Sequence, residues 1–84
     1  MSTVIYTKKA IKGLRKMPKQ YADSFRAAFE RIGAKDETGL NIRPLQGRDG
    51  FRLRFGGFRA IYAFDGEQLN VLVLDAGPRG GIYQ

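Results

Sequence analysis

The spacing of apolar positions changes along the chain, and each change marks the border of an element. Thr3 to Tyr6, with the apolar run Val4-Ile5-Tyr6, predicts a short opening strand. From Thr7 onward Ile11, Leu14 and Met17 recur at helical spacing with lysines on the opposite side, and Thr7 is suited to cap that helix. Pro18 interrupts the pattern and fits the first turn of a second helix. There Tyr21, Phe25, Ala28, Phe29 and Ile32 form one stripe, and Gly33 is the expected C-cap. Both stripes read as core rather than as a cofactor or membrane surface. Residues 34–44 are polar, contain Gly39 and Pro44, and read as a loop.

The second half of the chain has a strand period. Phe51-Arg-Leu-Arg-Phe55 and the run from Phe58 to Phe64 are joined by Gly56-Gly57, which predicts a two-residue hairpin. That loop length sets Phe55 opposite Phe58, Arg54 opposite Arg59, Leu53 opposite Ala60 and Arg52 opposite Ile61. Side chains alternate along a strand, so Phe51, Leu53, Phe55, Phe58, Ala60 and Tyr62 share one face, and Arg52, Arg54 and Arg59 share the other. Asp65-Gly66 then marks a turn, and Leu69 to Leu74, apolar at nearly every position, predicts a strand inside the sheet. After that strand come Gly77-Pro78-Arg79-Gly80-Gly81-Ile82-Tyr83-Gln84. These elements make one α+β domain over residues 1–84: a helical hairpin packed on the aromatic face of a small, mostly antiparallel β-sheet, with the arginine face open.

The charge pattern gives that open face a chemical meaning. Like charges opposite one another in a sheet are unfavourable by about 0.2 kcal/mol or more, and no acidic residue lies within the hairpin. Three arginines retained together point to an anion site. The net charge of +7 on 84 residues favours nucleic acid or another polyanion over a neutral metabolite. All six lysines lie at or before Lys35, whereas the later basic residues are Arg43, Arg48, Arg52, Arg54, Arg59 and Arg79. A guanidinium is a planar fork that stays protonated and matches phosphate oxygens.

The chain has no cysteine and no histidine. Disulfides, thiol nucleophiles, histidine general bases and the usual zinc ligands are therefore excluded. The apolar runs are short and the N-terminus lacks a signal-peptide pattern, so the expectation is a soluble, cytoplasmic protein that needs no membrane, metal or small-molecule cofactor.

The order of strand, two helices, Leu45-Gln-Gly47, Phe51-Arg-Leu-Arg-Phe55, Gly57-Phe-Arg-Ala-Ile-Tyr62, an apolar strand and Gly77-Pro-Arg79 followed by Ile82-Tyr83 resembles the RelE/ParE toxin superfamily over essentially the whole chain. The resemblance implies a β-α-α-β-β-β fold and a toxin of a bacterial type II toxin–antitoxin module with a cognate antitoxin as partner. In its RelE branch such toxins act at the ribosome and cut messenger RNA. Carried over by position, Arg59 matches the arginine of the glycine-aromatic-arginine motif, Arg79 the arginine after the last strand and Tyr83 the terminal catalytic tyrosine. Arg52 and Arg54 stand where RelE-like toxins often carry lysines.

Cutting RNA through its own 2′-OH needs a base for that hydroxyl, cations for the charge that builds on the phosphate and help for the leaving oxygen. Arg54, Arg59 and Arg79 suit the second task, and Arg43, Arg48, Arg52 and Arg54 suit contact with the RNA backbone. Arginine cannot give up a proton near neutral pH, so the base role falls to Tyr83, whose pKa of about 10 neighbouring guanidinium groups would lower. Two other functions fit the same pattern: a ParE-type inhibitor of DNA gyrase that does no RNA chemistry, and a catalytically inactive, toxin-like nucleic-acid-binding module.

Overall fold

The computed structural model describes residues 3–78. Its elements run β1 (Val4–Tyr6), α1 (Lys8–Lys16), α2 (Lys19–Gly33), β2 (Asn41–Pro44), β3 (Phe51–Phe55), β4 (Phe58–Asp65) and β5 (Asn70–Pro78). The strands form one sheet in the order β1-β5-β4-β3-β2, in which β1 lies parallel to β5 and every other pair is antiparallel. Both helices cover the same face. The architecture is the expected α+β fold.

The helices form for the reasons legible in the chain. Thr7 caps α1, its side-chain oxygen accepting the Ala10 N–H at 3.1 Å. Leu14 and Met17 carry the apolar stripe inward. Phe25, Ala28, Phe29 and Ile32 do the same for α2, and all are buried. They meet Leu53, Ala60, Tyr62, Val71 and Val73 from the sheet. Phe29 stands edge-on to Tyr62 at 5.4 Å and Phe25 edge-on to Phe55 at 4.9 Å, the arrangement favoured by the quadrupoles of the rings.

Three expectations need correction. Residues 41–44 are not loop but strand β2, paired with Phe51–Arg54 of β3. A four-residue edge strand that turns only Ile42 inward and ends in Pro44 has too short an alternation to be read, and proline is tolerated there because an edge needs no second partner. The last strand starts at Asn70 rather than Leu69 and continues to Pro78. Leu69 has φ +53 in the preceding turn and is half exposed. Pro78 fits because β1 accompanies β5 only as far as Val73, which leaves the distal part of β5 without a neighbouring strand on that side. Gly33 is the last residue of α2, and Lys35, with φ +64, takes the left-handed position after it.

Candidate functional site

The hairpin register deduced from Gly56-Gly57 is present residue for residue, including Arg54 opposite Arg59 and Arg52 opposite Ile61. Gly56 makes the turn with φ +53, and a Cβ there would come within 3.0 Å of the Tyr21 hydroxyl. Both facts favour glycine.

Strand β2 enlarges the patch. Its register sets Asn41 beside Arg54 and Arg43 beside Arg52, while β5 sets Gly77 beside Arg59 and Asp75 beside Ile61. Two rows therefore cross the outer face of the sheet: Asn41, Arg54, Arg59, Gly77 and, next to it, Arg43, Arg52, Ile61, Asp75. Neighbouring strands are about 4.8 Å apart and same-face residues along one strand about 6.7 Å apart. Four guanidinium stems thus leave the sheet within a region the width of one or two nucleotides, and two like-charged pairs stand directly opposite one another. Among the described residues of these rows, the one carboxylate is Asp75, which accepts an ion pair from Lys9 at 3.3 Å.

The patch is less open than its sequence suggests. Arg59 is only 4% exposed, Arg52 and Arg54 are half-buried, and Arg43 is exposed. Exposure thus falls from the edge strand β2 through β3 to the central strand β4. Arg48 lies apart, exposed in the connection between β2 and β3. Arg79 and Tyr83 lie outside the described residues. Tyr62, near Arg59 in the chain, is no substitute as a base. It faces the helices, and burial, reinforced by Glu37, pushes its hydroxyl above the usual tyrosine range, so it keeps its proton.

The rest of the outer face differs in kind. Ile5, Leu72 and Ala63 line up across β1, β5 and β4, with Ile5 43% exposed. An apolar row therefore adjoins the cationic one. Among the described residues, no cluster of carboxylates, histidines or cysteines is fit to hold a metal ion, and no helix is long and apolar enough to cross a membrane. Asn41 and Asp75 escaped the sequence reading. Asp75 could have been noticed as a carboxylate directly following the apolar run Val71-Leu-Val-Leu74, whereas Asn41 carries no signal until β2 is known.

The fold is that of several solved toxins. The RelB–RelE antitoxin–toxin complex from Methanococcus jannaschii matches with a TM-score of 0.78 at 18% identity, covering 94% of this chain and 94% of that one. The isolated RelE toxin of Escherichia coli matches with a TM-score of 0.75 at 19% identity, covering 99% of this chain and 92% of that one. The RelBE2 toxin–antitoxin complex of Mycobacterium tuberculosis matches with a TM-score of 0.71 at 25% identity, covering 93% and 98%. Comparison with curated protein sequences found no match. The family model of the ParE toxin of the type II toxin–antitoxin system parDE matches residues 4–83. Together with a helical hairpin on a five-stranded sheet, that match means that the chain belongs to the ParE toxin family of type II toxin–antitoxin systems, within the RelE/ParE superfamily.

Proposed function

We propose that this toxin is a ribosome-dependent mRNA endonuclease acting in the cytoplasm, with residues 1–84 working as a single toxin domain. The observation that carries the reading is the double row of arginines on the outer face, with Arg59 buried at its centre between Arg54 and Gly77. A permanently charged group held in a mostly desolvated setting beside another cation is arranged for an anion, and such donors act most strongly where water is excluded.

In this reading Arg43, Arg48 and Arg52 hold the RNA backbone. The 2′-OH of one nucleotide attacks the adjacent phosphorus and the bond to the 5′-oxygen of the next nucleotide breaks, leaving a 2′,3′-cyclic phosphate and a 5′-OH. Tyr83, as its phenolate, takes the 2′-OH proton, a water molecule gives a proton to the departing 5′-oxygen, and Arg54, Arg59 and Arg79 neutralise the charge that accumulates on the phosphate. The ribosome and its mRNA are the target. The antitoxin is a chain whose inhibitory segment carries acidic residues for the arginine rows and apolar ones for the Ile5, Leu72 and Ala63 row.

A second reading is favoured by the family model itself, which is that of ParE: inhibition of DNA gyrase without RNA cleavage. Primer extension on mRNA from cells producing the toxin separates the two. Cuts confined to translated regions support the nuclease reading. Intact mRNA accompanied by DNA damage supports the gyrase reading and overturns the first.

A further inference from the structure

Strand β5 contains one residue more than β4 needs. Val73 pairs with Tyr62 and Asp75 with Ile61, so Val73, Leu74 and Asp75 oppose two residues of β4. Such a bulge reverses the alternation beyond it. Before it, the odd positions Val71 and Val73 face the helices. After it, the even position Ala76 is in the core and the odd position Gly77 stands beside Arg59 on the outer face. In an unbroken strand Gly77 would share the face of Val71 and Val73, away from the arginines.

The bulge is held from one side by the start of α1. The Thr7 N–H donates to the Val73 carbonyl at 3.1 Å, and the Thr7 hydroxyl donates to the Leu74 carbonyl at 2.9 Å while accepting the Ala10 N–H. The Asp75 carboxylate, 9% exposed as a residue, accepts the N–H of the following Ala76 at 2.9 Å and the Lys9 ammonium at 3.3 Å. Gly13 closes the same contact. A Cβ on it would come within 1.9 Å of the Ala76 carbonyl oxygen, so α1 sits directly on the residue after the bulge. Lys9 is mostly exposed and its ion pair is screened, which leaves the bond to Ala76 as the stronger of the two Asp75 contacts.

We propose that Asp75 is a positioning residue: together with Thr7 it locks the β5 bulge, and the locked bulge sets the Gly77 backbone beside Arg59 and so fixes where Arg59 stands in the arginine rows. The catalytic half of this inference rests on the nuclease reading. The structural half does not.

The test uses Asp75→Ala and Asp75→Asn in the full chain, read by amide hydrogen exchange and by single-turnover cleavage of mRNA on programmed ribosomes. Asparagine keeps an oxygen for the Ala76 N–H, and alanine removes it. In Asp75→Ala, exchange at Ala76, Gly77 and Arg59 is expected to accelerate roughly tenfold or more with Val71 and Val73 unchanged. The cleavage rate at saturating ribosome is expected to fall about 10- to 100-fold with little change in half-saturation, the effect of a small misplacement at a reacting centre. Asp75→Asn is expected to restore both to within about threefold. Uniformly faster exchange, or a wild-type rate in Asp75→Ala, would overturn the proposal. Should the wild-type chain fail to cleave, the nuclease reading falls, and the exchange pattern still decides whether Asp75 locks the bulge.

Discussion

Tyr62 and Arg59 lie three residues apart on the central strand and both are almost sealed from water, yet they belong to opposite kinds of surface. Tyr62 sits among Phe29, Phe51 and Phe64, with ring centroids 5.4, 5.5 and 5.9 Å away. Among the described residues its hydroxyl has no hydrogen-bond partner. Arg59 faces outward beside a second arginine, in a row with Asn41 and Gly77. The inner face is a packed core in which the Tyr62 hydroxyl is incidental. The outer face sets like charges directly opposite one another, an arrangement that a sheet does not favour for packing alone.

Substitutions on the inner face should therefore register in stability. Phe29→Ala removes a fully buried ring from the centre of the core and is expected to lower unfolding free energy by about 3–5 kcal/mol in chemical denaturation, enough to threaten folding of a domain this small. A loss below about 1 kcal/mol would mean that the aromatic face is not what holds the helices. Gly13→Ala is next, because the neighbour its Cβ would strike is backbone and cannot swing aside. A loss of about 1–3 kcal/mol is expected.

Tyr62→Phe sharpens the contrast by removing only the unpartnered hydroxyl. Stability should change by no more than about 1 kcal/mol and can rise, since no bond among the described residues is lost with that oxygen. The same variant has a pH signature. Burial raises the Tyr62 pKa above the ordinary value of about 10, so in alkali the folded chain retains a proton that the unfolded chain releases. The stabilisation is complete below about pH 10 and declines as pH rises past it. Tyr62→Phe should flatten that decline, with Tyr6, also raised by burial and by Glu30, supplying the remainder. An unchanged alkaline slope would show that Tyr62 is not the group responsible.

The outer face should respond in the opposite sense. Arg43→Ala, at an exposed edge position, is expected to leave stability within about 0.5 kcal/mol of wild type while reducing the salt dependence of RNA binding by about one unit of slope. A stability loss with unchanged salt dependence would make Arg43 a structural residue.

What could be read in advance follows the same division. The inner face was legible because its cause is local: the stripe from Tyr21 to Ile32 and the alternation of Phe51, Leu53 and Phe55 leave few alternatives. The pairing of Arg54 with Arg59 was legible because a two-residue loop dictates register. The rest depended on distant parts of the chain. Arg43 joins Arg52 only because a four-residue strand docks on the edge of β3. Gly77 reaches Arg59 only because Thr7, some seventy residues earlier, holds the bulge at Leu74. The burial of Arg59 is a property of the folded sheet that no short motif encodes.

The central claim is that the arginine rows perform chemistry on RNA rather than merely bind an anion. Single-turnover cleavage of mRNA on programmed ribosomes by the wild-type chain and by Arg59→Ala, with melting temperatures recorded on both, addresses it most directly. The account predicts cleavage by wild type and a fall of about 10² to 10³ in rate for Arg59→Ala, the usual effect of losing one preorganised donor, at nearly unchanged half-saturation. A folded Arg59→Ala chain that cleaves at the wild-type rate would contradict it.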